Sequence, residues 1–153
     1  MGRFKLSKPL AFAAVALAAT PLLAAPADDV RTRVSGLREL GAAFKAVNDG
    51  LRASEPQMIM IQMSAKQIKN AATQMPSWFP KGSGPESGAK TAAKAEIWSQ
   101  PAKFKAAQDA FVAEANNLQK ASASNDVAAI RASTAKLGGT CKGCHDTFRV
   151  PRT

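Results

Sequence analysis

The chain has 153 residues, 46% hydrophobic and 21% charged, which bounds it to about one ordinary globular domain. Ala abounds, Tyr is absent and β-branched runs are short, so helix is the default and a sheet-built enzyme is disfavoured. The net charge of +10 raises nucleic acid or a membrane surface, but two cysteines and the single histidine lie together, which is more telling.

Residues 1–27 read as a secretory signal peptide. Arg3, Lys5 and Lys8 form a basic start, residues 9–23 carry no charge, and Ala25-Pro26-Ala27 supplies a small-x-small cleavage site. A membrane span wants about 20 strongly apolar residues, and this Ala-rich stretch of about 15 is broken by Pro21. Export to the periplasm is therefore expected, with no membrane attachment after cleavage. The mature chain, 28–153, keeps a charge of +7.

Four helices follow. Asp28 and Asp29 offer capping chemistry, and Val30, Val34, Leu37, Leu40, Phe44, Val47 and Leu51 recur in steps of three and four. Asn48-Asp49-Gly50 reads as a stop. A second helix is expected from Ser54-Glu55-Pro56, with Ser as cap and Pro in the first turn. Its stripe is Met58, Ile61, Ala65, Ile68 and Ala72, widened by Ile59, Met60 and Met63, and Pro76 ends it. Residues 75–91 are rich in Pro, Gly and Ser and read as one long loop, in which Trp78 and Phe79 argue for packing.

A third helix is expected from Ser99, with Pro101 in its first turn and Phe104, Ala107, Phe111, Ala115 and Leu118 inward. A fourth starts near Asn125-Asp126 and turns Val127, Ile130, Leu137, Cys141, Cys144 and Phe148 inward, with Thr134 bonding back to its own helix. Residues 121–126 make a short turn, so these two helices are antiparallel neighbours. The simplest architecture is an all-α, up-down-up-down four-helix bundle.

Cys141-Lys142-Gly143-Cys144-His145 is C-x-x-C-H, the attachment sequence of c-type haem. Residues three apart on a helix share a face, so both sulfurs can reach one edge of a porphyrin. His145 lies one turn beyond Cys141 and can ligate the iron. The cysteines sit on the inward stripe, which places haem c, one per chain, in the bundle core near the last helix. A thioredoxin-type dithiol would want a βαβ context, zinc would want four ligands, and a disulfide three residues apart in a helix strains Cα geometry.

The chain resembles the cytochromes c′, the class II c-type cytochromes. The resemblance rests on Cys141-Lys142-x-Cys144-His145-x-x-Phe148-Arg149, Ile97-Trp98-Ser99…Phe104, Phe79-Pro80-x-Gly82-Ser83-Gly84…Thr91 and Arg33-x-x-x-Leu37. It implies a homodimer of bundles, each with a pentacoordinate, high-spin haem. His145 would be the proximal ligand and Leu37 the distal lid. Arg33 would lie near a haem propionate, Thr91 would touch the haem, and Arg149 would flank the proximal face, one helical turn beyond His145. Val34 stands where such proteins often carry Gln. The outer faces of the first two helices, through which the family dimerises, look unremarkable in sequence.

One histidine precludes bis-His ligation within a chain, and residues 28–57 hold no Met, so the iron is expected open beneath an apolar lid. Such a site admits NO and CO. The expected function is binding of these gases, with capacity for one electron exchanged with a redox partner protein. The alternative is a low-potential electron carrier with a Met-ligated, low-spin haem. An enzyme is not expected, since distal acid–base residues are wanting. Basic residues are spread over all four helices without an aromatic-interleaved run, so nucleic acid is not implied.

Overall fold

A computed structural model describes residues 26–151; apart from Pro26 and Ala27, the expected signal peptide lies outside the described residues. The long helices are α1 (Pro26–Arg52), α2 (Met58–Gln74), α4 (Pro101–Ala123) and α5 (Val127–Phe148), and α3 (Glu96–Ser99) is a single turn. The expected bundle is the observed one. α1 packs on α2, α2 on α4 and α4 on α5, while α1 and α5 touch far less. Among the described residues no helix is long and apolar enough to cross a membrane.

Both ends of the bundle are tied by polar contacts. At one end, Arg131 donates to the Leu51 carbonyl, and Gln62 donates to the Ser122 carbonyl at 3.1 Å and to Asn125 at 2.9 Å. The ends of all four long helices meet there. At the other end, Lys94 N donates to Phe148 O at 2.9 Å and Val150 N to Ala92 O at 2.8 Å, a short antiparallel bridge. The main core between them contains Val47, Ile61, Ile68, Leu118, Ile130 and Leu137, all fully buried. Each such side chain contributes about 1.5–3 kcal/mol by leaving water.

Helix ends depart from expectation where proline and close packing decide. α1 starts at Pro26, so Asp28 and Asp29 lie in its first turn, where they complement the helix dipole rather than cap it. It runs through Asn48-Asp49-Gly50 to Arg52. Gly50 is buried, and a Cβ there would stand 2.9 Å from Ile61, so the glycine permits helix approach instead of ending the helix. α2 begins at Met58, not Ser54; Pro56 disfavours helix before it, and the Gln57 amide bonds Gly50 O at 3.2 Å. Likewise α4 begins at Pro101 because Gln100, preceding proline, is non-helical, which leaves Ser99 closing the separate turn α3.

Other local signals work as read. Asp126 caps α5, accepting from Ala128 N at 2.9 Å and Ala129 N at 3.1 Å. Thr134 donates to Ile130 O at 2.8 Å. Trp78 is buried in the 3-10 turn after α2. A Cβ on Gly36 would lie 2.6 Å from its indole. Gly36→Val therefore has to displace a buried ring: overpacking costs about 1–3 kcal/mol, and the poor helix propensity of Val returns little of it. The variant is expected to unfold at lower denaturant concentration, with Trp fluorescence shifted to the red. An unchanged midpoint would mean that the indole moves aside freely.

Candidate haem site

α5 places Cys141, Cys144 and His145 in its last two turns. The two cysteines join different apolar clusters: Cys141 packs on the main core, and Cys144 on a second cluster of Ile97, Phe104 and Phe148. Phe79 touches both clusters. Its ring lies 4.8 Å from Phe104 edge-on, Phe104 lies 5.1 Å from Phe148, and Trp98 is 6.4 Å from Phe79. The cysteine pair thus straddles the join between an aliphatic core and an aromatic one. Burial pushes both thiols up from their ordinary range, the opposite of the depressed value that a redox dithiol uses. His145 is exposed in this last turn.

Opposite, α1 brings Arg33 and Leu37, one turn apart, toward the same end of the bundle. Leu37 is half-buried at the edge of the main core, although it lies on the inward stripe. The separation of α1 from α5 leaves Leu37, Cys141 and Cys144 all half-buried. A flat, largely apolar ring attached to α5 fits against these side chains. Further along the same seam, Phe44, Leu51, Thr134 and Gly138 line an open groove.

Arg33 is only 2% exposed. One terminal nitrogen donates to Ser83 Oγ at 2.9 Å and Trp78 O at 3.4 Å, and the other to Ser83 O at 2.9 Å and Thr91 Oγ1 at 3.0 Å. The guanidinium also lies 5.1 Å from the Phe79 ring and 5.6 Å from the Trp98 ring. Thr91 Oγ1 further accepts from Ala93 N at 3.1 Å. Thr91 is therefore a partner of Arg33, a connection not evident in the sequence.

Arg149 requires a correction. It does not continue the α5 face beyond His145: the helix ends at Phe148, and Arg149 is extended, opposite Ala93 in the antiparallel bridge. Its amide still closes the last helical bond, to His145 O at 3.1 Å. Pairing with residues 92–94 draws the chain out of the helix before another turn can form.

Residues 28–149 match the family described as Cytochrome C′. The chain belongs to the cytochrome c′ family. A cytochrome c′ from Pararhodospirillum photometricum is 35% identical over 126 residues, covering 82% of this chain and 99% of the relative. The crystal structure of cytochrome c′ from Rubrivivax gelatinosus superposes with a TM-score of 0.76 at 30% identity, covering 82% of this chain and 98% of that one. A nitric oxide complex of a leucine-to-alanine variant of the Alcaligenes xylosoxidans protein gives 0.76 at 27% identity, covering 85% and 99%. Cytochromes c′ carry haem c covalently, and the cysteine pair of this chain supplies the attachment sequence.

Proposed function

We propose that this cytochrome c′ is a periplasmic gas-binding haem protein, not an enzyme, whose pentacoordinate iron takes NO or CO beneath Leu37. The reading is carried by one juxtaposition: half-buried Leu37 on α1 and Cys141 on α5 border the same core cluster, at the end of the bundle that also bears Cys144 and His145. Cys141 and Cys144 would hold the haem as thioethers, and His145 would ligate its iron. The haem supplies the iron that binds the gas and exchanges one electron with a redox partner protein. Export rests on the signal-like residues 1–27, with the domain comprising 28–153. The nitric oxide complex of the Alcaligenes xylosoxidans protein supports the choice of ligand.

The low-spin alternative needs a methionine at the iron. Met60 and Met63 are exposed on the outer face of α2. Met58 lies at the end of the bundle remote from Cys141, and Met75 fills the main core. The deciding experiment is an optical spectrum of the purified holoprotein. A ferric high-spin spectrum, and a ferrous form whose Soret band changes on adding CO or NO, are expected. A low-spin spectrum indifferent to both gases would overturn the reading in favour of the carrier.

The same face of α2 supports a homodimer. Ile59 is 77% exposed, Met60 44% and Met63 69%, so these residues widen no core stripe, and the outer face of α2 is not unremarkable. Contiguous apolar exposure of this kind marks an association surface. In a two-fold dimer each substitution acts twice. Losing about 1.5–3 kcal/mol of burial per Met therefore weakens association by about a hundredfold or more. Met63→Lys is expected to sediment as a monomer at concentrations where the parent is dimeric; an equally dimeric variant would place the interface elsewhere.

A further inference from the structure

The buried guanidinium of Arg33 has a peculiarity that its place near the haem site does not explain. Among the described residues all four of its hydrogen bonds end on neutral oxygens, and three of those oxygens belong to Ser83 and Thr91. Its acidic neighbours, Asp29 and Glu86, act on it through space without being among those four acceptors. Arg remains charged even when buried, so a positive charge is fixed here by neutral protein oxygens. The two rings beside it, Phe79 and Trp98, are also packed in the cluster with Cys144.

Ser83 is fully buried and does two things at once. Its Oγ accepts from Arg33 and donates to Pro80 O at 2.8 Å. Pro80 O also accepts from the Trp98 indole at 3.0 Å. One hydroxyl thus fixes the guanidinium and shares the Pro80 carbonyl with the neighbouring Trp98 indole. Thr91 holds the other terminal nitrogen from the far end of the loop.

We propose that Ser83 and Thr91 are positioning residues that hold the Arg33 charge beside the haem and thereby raise its reduction potential. The proposal rests on the haem reading above. A fixed cation favours the iron state with one more electron, so the ferrous form gains. In low-dielectric surroundings this effect resists salt, whereas that of exposed lysines such as Lys81 and Lys90 is screened at high ionic strength.

The test is potentiometry of the holoprotein at pH 7 and high salt, with covalent haem checked by its pyridine haemochrome. Arg33→Gln is expected to shift the ferrous–ferric ratio at fixed potential about tenfold toward ferric, equivalent to about 59 mV for one electron. Ser83→Ala and Thr91→Val are expected to shift it in the same direction by less, because the charge stays but is no longer fixed. Should Ser83→Ala fail to fold, Thr91→Val carries the test, since Thr91 is only half-buried. A shift in Arg33→Gln without one in either hydroxyl variant overturns the positioning role. Parent-like potentials in all three overturn the proposal entirely, leaving a loop staple. A parent protein without covalent haem overturns the underlying functional reading instead, and the proposal with it.

Discussion

Replacing His145 with Ala is expected to abolish the parent haem spectrum while leaving the haem attached. On the proposed reading the two functions of the motif separate cleanly, because Cys141 and Cys144 would supply the thioethers and His145 the iron bond. The side chain is exposed in the last turn of α5, so its loss removes no core packing. The variant should therefore fold and carry haem, with a c-type pyridine haemochrome and a displaced Soret band. No second histidine can replace it, and Met58 lies at the opposite end of the bundle. Millimolar imidazole should restore a parent-like spectrum by taking up the vacated coordination position. A variant with the parent spectrum in the absence of imidazole would refute the ligand assignment.

How far the sequence could be read depends on whether a feature is local. The motif, the Asp126 cap and the Thr134 back-bond each involve residues within four positions of one another, and spacing alone reveals such pairs. The four-helix architecture is likewise periodic, so the bundle was legible. Arg33 was placed near the site only by resemblance, and its actual partners could not be seen. Trp78, Ser83 and Thr91 are 45, 50 and 58 residues away, and no periodicity connects a helix to an irregular loop. Gly50 misled because a glycine that admits a neighbouring helix has the same letter as one that stops its own. The α2 methionines misled for a different reason: a stripe of six or more apolar residues exceeds the arc that a bundle helix can bury. Periodicity then does not say which edge faces water. Arg149 was displaced by a two-residue bridge that is formed through tertiary contact alone.

Leu37→Ala is expected to raise the affinity of the ferrous protein for CO about tenfold. If Leu37 covers the iron, a diatomic ligand binds only after displacing it, so binding bears the cost of disturbing an apolar side chain. Full burial of a leucine is worth about 1.5–3 kcal/mol and Leu37 is half-buried, so about half of that applies, which reaches the 1.4 kcal/mol of a tenfold change. Truncation removes that cost from the ligand and charges it to the fold instead. A modest loss of stability should accompany the gain, smaller than the 2–5 kcal/mol of a fully buried Leu→Ala change, because the side chain borders open space. The two effects therefore have to be measured together, by CO titration of the reduced protein and by denaturant unfolding. Since a lid opposes entry, the change should fall mainly on the association rate after flash photolysis. His145→Ala alters the iron from the other side and should leave no such signature. Higher affinity gained wholly through slower dissociation would indicate a new contact with the ligand. Unchanged affinity with reduced stability would leave Leu37 as a core residue and move the distal wall to another part of the seam between α1 and α5.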